Sequence, residues 1–305
     1  MLKSAGVCPI PDRLLGRSFG ARALEVVRQQ IQSAAGANRT EIARRVCQQL
    51  GWVNRGGRLA LMSGRVALLK LHRAGLICLP PPRNGNGNGA RYQSGPLLAE
   101  SEPTQCRLSD LQPLRYEWVQ ASERSRLWNS LMERYHYLGH ENLPGAQLRY
   151  LIYSQSGAVL GAMGFGAAAW KVAPRDRWIG WDGPQRRRGL DLIVNQARFL
   201  ILPWVRVAHL AGHCLGECLR RLPKDFQQRY GWKPVLVETF VESRFGGCGY
   251  RATNWICLGQ TQGRGKKGAH LRGGPPPLPV KQIWVYPLRP DFRRQLCSPE
   301  EPPRV

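Results

Sequence analysis

Apolar residues recur at helical spacing near the start of the chain and give way to strand-like runs only after a proline- and glycine-rich break. In residues 21–32, ARALEVVRQQIQ, the side chains of Ala23, Leu24, Val27 and Ile31 fall on one stripe, which predicts an amphipathic helix. A second helix carries Ile42, Ala43, Val46 and Leu50, with Asn38 or Thr40 as its cap and Gly51 as its stop. After GWVNRGGR, Ser63 is placed to cap a third helix, GRVALLKLHRA, which ends at Gly75 and runs into the apolar strand-like LICLP. Short helices followed by a strand predict a small winged-helix-like domain over residues 1–80. In such a module the last helix enters the major groove, so Arg65, Lys70, His72 and Arg73 would face DNA. The alternative is a helical docking domain whose charges are simply solvated.

Residues 81–105 change character, with a stiff proline run followed by a flexible NGNGNG repeat, and read as a linker. A larger domain is expected over residues 106–290, with a polar tail at 291–305. Within it, residues 120–135 are helix-like, LRYLIYS and VLGAMGFGAAAW form a strand pair, and ARFLILPWV is a further strand. Residues 207–222, VAHLAGHCLGECLRRL, form an amphipathic helix before the strand KPVLVETFV. Alternating strands and helices predict a mixed α/β domain with a central sheet.

Charge narrows the class of partner. The 305 residues include 45 Lys plus Arg against 20 Asp plus Glu, a formal charge of +25 that favours a polyanion, DNA or RNA, over acidic small molecules. Between Ser243 and Pro290 there is no acidic residue, while Arg244, Arg251, Arg264, Lys266, Lys267, Arg272, Lys281 and Arg289 are basic. The nine cysteines include no CxxC pair, so neither a zinc ribbon nor a disulfide framework is expected. Without an apolar signal-peptide core or a membrane-length apolar run, a cytoplasmic location is expected.

Several residues are candidates for chemistry. Glu238 and Glu242 share one face of a strand, with Val237, Thr239 and Val241 on the other. Four residues at about 3.3 Å each put the two carboxylates roughly 13 Å apart, whereas paired metals sit about 3.5–4 Å apart. Asp176 and Asp182 lie in KVAPRDRWIGWDGPQRRR, a Trp- and Arg-rich loop in which Arg187 is available to phosphates. Either aspartate can join Glu238 on a Mg or Mn ion, with Asp182 and Glu238 the chosen pair, or pair with the surrounding arginines. His136, beside His140 and Glu141, is a candidate general base. His209, His213 and Glu217 recur at four-residue spacing without the HExxH pattern and read as incidental. GQTQGRGKKG brings glycines to Arg264, Lys266 and Lys267 and suits a phosphate backbone, although it is not a nucleotide-binding P-loop. Tyr250, Arg251 and Trp255 complete the expected nucleic-acid face.

The segments RYHYLG, NQARFLILPWVRVAHLAGHCLGECLRRL and YGWKPVLVETFVESRFGGCGYRATNWICLGQTQGRGK resemble the DruA family of Druantia anti-phage proteins, whose relatives also occur in mobile elements. The resemblance implies a defence or mobile-element setting and partner proteins. The chain reads ETFVE where the family commonly has ETFVD, and GCGYRATNW where GTCYRAANW is usual. Strand, long helix, strand and GYRATNWICLGQT also resemble the second half of GNAT-like acyltransferases. PWVRVAHLAG lacks their glycine-rich pyrophosphate turn, so ordinary acetyl-CoA binding is not implied. Three functions remain open from sequence. The chain is a DNA-binding protein that cleaves DNA with a metal or modifies its bases, or a non-catalytic recognition component recruiting partner enzymes, or a transposition-related recombinase.

Overall fold

Asn38 shows how closely local chemistry sets the first unit: its side-chain oxygen accepts the N–H groups of Thr40 and Glu41 and starts a helix. The computed structural model describes residues 9–82, 102–263 and 279–298, except Gly16, Ala35 and Ala121. The chain divides into two compact units after residue 91, and most of the segment read as a linker lies outside the described residues. A short hairpin, β1 (Arg13–Leu14) with β2 (Arg17–Ser18), precedes α1 (Ala21–Gln32), α2 (Arg39–Gln49) and α3 (Leu61–Arg73). Leu24, Val27, Ile42, Val46, Leu68 and Leu71 form their common core. The second and third helices meet at Gly64, where a Cβ would stand 2.6 Å from the Cys47 sulfur.

Two expectations for this unit are corrected. The last helix begins at Leu61, so Ser63 lies within its first turn and does not cap it. LICLP, residues 76–80, is not a strand: Ile77 and Leu79 are buried in the helical core, and the Leu79 N–H reaches His72 Nδ1 at 3.4 Å. Packing against α3 takes the place of sheet pairing there. Arg65, Lys70 and Arg73 are all exposed on α3, as are Met62 and Val66.

The second unit is a mixed α/β domain around a seven-stranded sheet. Its elements begin with α4 (Leu108–Leu111), β3 (Arg115–Trp118), α5 (Ser122–Tyr135), β4 (Leu148–Tyr153) and β5 (Val159–Ala167). They continue with α6 (Ala173–Ile179), α7 (Gly183–Gly189), β6 (Ile193–Ile201), α8 (Leu210–Tyr230) and β7 (Leu236–Glu242). The chain closes with α9 (Cys248–Ala252), β8 (Ile256–Gln260), β9 (Lys281–Pro287) and α10 (Phe292–Cys297). The strand order is β3-β4-β5-β6-β7-β9-β8, antiparallel throughout except for β6 and β7. Successive residues of β4 place the long helices: Arg149 bonds Asn129 and Ser125 of α5, whereas the Tyr150 hydroxyl donates to Asp225 of α8 at 2.7 Å. Because neighbouring strand side chains point to opposite faces, α5 and α8 cover opposite faces of the sheet.

Here too the sequence reading needs amendment. KVAPRDRWIGWDGPQRRR is not a loop but contains α6 and α7, each with a proline in its first turn, where a missing N–H costs nothing. The tail expected from residue 291 contains α10, whose Phe292 and Leu296 are buried against Ile179, Trp181 and Val285. Among the described residues no helix is long and apolar enough to cross a membrane.

Candidate functional site

β6 and β7 run in parallel register for only three pairs, from Ile193 with Leu236 to Asn195 with Glu238, and then separate. Near that split stand Glu238, Tyr250 and Trp255 of the residues singled out from sequence. Glu238 is fully buried, because its strand is covered on both faces instead of one. Its Oε2 accepts from an Arg175 guanidinium nitrogen at 2.6 Å, and its Oε1 accepts the Ala169 N–H at 2.7 Å. Arg175, itself fully buried, also donates to Asp176 Oδ1 at 3.0 and 2.8 Å and to the Ala169 carbonyl at 2.9 Å. Asp176 receives Trp181 Nε1 as well, at 3.1 Å. Burial pushes the Glu238 carboxyl up, with the Arg175 charge and the Ala169 N–H opposing it.

The other carboxylates have separate tasks. Asp182 is exposed and caps α7, accepting the Gln185 N–H at 2.6 Å while Gln185 Oε1 accepts the Asp182 N–H at 2.7 Å. Glu242 meets Arg244 Nε at 3.0 Å and Lys281 Nζ at 3.6 Å. Asp182 and Glu238 are therefore each bonded to partners of their own and do not form the metal pair expected from sequence. Among the described residues, no group of three or more His, Cys, Asp or Glu is arranged to hold a metal ion. Glu217, on the histidine stripe of α8, pairs with Arg220 at 2.8 Å.

His136 follows α5 and is nearly buried. Desolvation first, then the charges of Arg198 and Lys281, lower its pKa to about 4, so the ring is neutral at pH 7. Its Nδ1 accepts the Leu138 N–H at 3.2 Å, which places the ring proton on Nε2. A ring in that state presents Nε2–H as a donor, and the general-base role expected for it would use the nitrogen that the Leu138 N–H occupies. Arg198 is also nearly buried, donating to the carbonyls of Gly139 at 3.3 Å and Ala197 at 2.9 Å.

Trp255 is buried, stacked edge-on against Tyr250 at 5.1 Å, and is therefore a core side chain rather than a base-stacking one. The Tyr250 hydroxyl donates to Gln196 Oε1 at 2.8 Å, and burial pushes its pKa up to about 12, so it stays a neutral phenol. Gln196 Nε2, Asn195 Oδ1 and Trp255 Nε1 are buried without a protein partner, the condition usually met by internal water. Arg187 and Arg251 are exposed. Arg264, Lys266 and Lys267 lie outside the described residues.

The surface that sequence reasoning passed over lies beside His136. Its ring stacks on Tyr137 with centroids 4.8 Å apart and planes 26° apart, and Tyr137 in turn stands 4.8 Å from Phe245. The Arg244 guanidinium carbon lies 5.0 Å from the Tyr137 centroid and 4.8 Å from that of Phe245. The signal was the YHY run around His136 and the adjacent Arg-Phe after the glutamate-ended strand.

A family model described as "Druantia protein DruA" matches residues 91–270, more than half of the chain. This chain belongs to the DruA family. The DruA match spans His136, Gln196, Glu238 and Tyr250 and stops before β9, which supplies Lys281 and Trp284 to the same region. No match is found among curated proteins. Solved structures with a similar fold include Arabidopsis thaliana NAA60 in complex with a bisubstrate analogue, at 13% identity and a TM-score of 0.39, covering 57% of this chain and 97% of that one. Another is spermidine N-acetyltransferase from Vibrio cholerae in complex with CoA and spermine, at 10% identity and a TM-score of 0.35, covering 56% and 94%.

Proposed function

We propose that this DruA-family protein is a nucleic-acid-recognising component of anti-phage defence, which holds DNA on basic and aromatic surfaces and presents it to partner proteins. Family membership supports the defence setting. The observation that carries the binding reading, against cleavage by a metal centre of the chain's own acids, is the separate engagement of Asp182, Glu238 and Glu242. One caps a helix, one neutralises a buried arginine, and one balances Arg244 and Lys281. With the acids spent in this way, the excess of positive charge faces outward on residues such as Arg65, Lys70, Arg73, Arg187 and Arg251.

A phosphate backbone is the ligand that such a distribution fits, because each neutralised phosphate releases counterions and makes binding steeply salt-dependent. The test is fluorescence anisotropy of labelled DNA with purified protein across a salt series. Affinity is expected to fall with a log–log slope of several units and to need no divalent metal, persisting in EDTA and weakened by magnesium only as a competing cation. Salt-independent binding, or none, would overturn the reading, and an RNA competitor of equal length distinguishes which polymer is preferred.

A further inference from the structure

We propose that Tyr137, Phe245 and Arg244 form a stacking platform for an unpaired base of a single-stranded nucleic acid. The proposal rests on the nucleic-acid reading above and assigns to one site the part of the polymer that it recognises.

Exposure makes these side chains unusual. Tyr137 is 42% and Phe245 48% exposed, although both are large aromatic rings and more than a hundred residues separate them in sequence. Aromatic rings brought together for core packing are covered, as Tyr150 and Phe165 are. The Tyr137 and Phe245 rings are in contact, centroids 4.8 Å and planes 54° apart, and His136 covers one face of Tyr137, so a base stacks on the outer, exposed surface of the pair and not between the rings. Arg244 lies over both rings and is oriented by Glu242, so its planar guanidinium adds a third stacking surface.

The pair is held by the turns on either side of it. On one side, the Leu138 N–H donates to the His136 ring, and the Gly139 N–H donates to the His136 carbonyl at 2.8 Å, tightening the turn that carries Tyr137. On the other, Phe245 ends a 3-10 turn followed by Gly246 and Gly247, at φ of 63° and 68°. At Gly247 a Cβ would stand 2.7 Å from the Trp284 ring, so both conformation and space require glycine there. His136 backs Tyr137 as a neutral ring, so the layer behind the pair adds no charge that would need solvent.

The surroundings select the occupant. Glu242 is balanced by Arg244 and Lys281, and no other acid occurs from Ser243 to Pro290. A basic peptide would be repelled, whereas a strand with a phosphate on either side of each base is attracted. In a duplex both faces of a base are covered by its neighbours. Only an unpaired base offers a free π-face, and aromatic and guanidinium planes are the surfaces that accept it.

The test uses the full chain and an oligonucleotide carrying 2-aminopurine, offered as a single strand and as the matching duplex. For the native protein, 2-aminopurine emission is expected to be quenched on binding in the single strand and unchanged in the duplex. Tyr137→Ala with Phe245→Ala should weaken single-strand binding by about 10- to 100-fold, the loss of one stacked base, with duplex affinity kept within about twofold. Tyr137→Phe with Phe245→Tyr should restore the quenching. Binding by the native protein without quenching would overturn the platform alone, as would equal weakening of both DNA forms in the alanine variant. No binding to either form would overturn the nucleic-acid reading, and the platform with it. The native protein's emission decides the matter even where the double variant does not fold.

Discussion

Glu238 illustrates how a single residue type acquires its meaning from depth. On sequence, a glutamate in a strand is equally a metal ligand or an ion-pair partner. The structure makes it the counter-charge of a fully buried arginine, with both oxygens occupied. Removing the acid leaves the buried Arg175 with Asp176 as its counter-charge and should cost about 3 kcal/mol, the lower end for a broken buried pair, so Glu238→Ala is expected to be destabilised in urea unfolding, with Glu238→Gln intermediate. A loss of function in the alanine variant must therefore be read beside its stability. His136 supplies a pH-dependent counterpart. Its pKa lies at about 4 in the folded chain against 6.5 ordinarily, so the unfolded chain takes up the proton first as pH falls. Stability is complete above about 6.5 and falls as pH drops toward 4, by up to about 3 kcal/mol. Glu238, raised in the folded state, acts in the opposite sense, because acidification relieves the cost of its burial. His136→Asn should remove most of the acid-side loss in unfolding measured across that range. Burial, which no single sequence displays, is what separates these residues from the roles first considered for them, and it also removes Trp255 from the surface.

Secondary structure was legible wherever local chemistry decided it. The apolar stripe of α1, the Asn38 cap of α2 and the strand around Phe199 follow from spacing and caps. The apolar pattern predicts the long helix over residues 207–222, whereas the helix spans Leu210–Tyr230 with Pro223 inside it. It runs on to Tyr230 because Phe226, one turn beyond the proline, is wholly buried in the core. α6 and α7 were hidden by their density of Trp, Arg and Gly, and α10 by the polar residues around Phe292 and Leu296. Asp182 belongs to this scale, since its role is to begin a helix. Asp182→Ala should lower stability by about 1 kcal/mol and leave DNA affinity unchanged, as thermal unfolding and anisotropy would show. The packing of α2 on α3 depends in the same way on one small residue. Gly64→Val has to displace the Cys47 sulfur, and a loss of about 1–3 kcal/mol is expected in the same unfolding assay.

For the molecule as a whole, charge was the most readable property and the position of the acids the least. Net charge of +25 pointed to a polyanion before any element was placed, yet spacing along the chain could not show that the acids would each be engaged elsewhere. The basic face of α3, with exposed Arg65, Lys70 and Arg73, was anticipated from its pattern. If it meets the duplex backbone, changing all three to alanine should reduce the salt slope by about 0.9 for each phosphate that the helix no longer neutralises. The central claim is that this DruA-family protein recognises nucleic acid and does not cut it with its own carboxylates. It is tested most directly by incubating the native chain, Asp182→Ala and Glu242→Ala with end-labelled single- and double-stranded DNA in magnesium, manganese or EDTA, and measuring bound fraction and strand length together. The account predicts salt-sensitive binding that needs no divalent metal, with strands left intact by all three proteins. Metal-dependent strand cleavage by the native chain, abolished in either folded carboxylate variant, would contradict it.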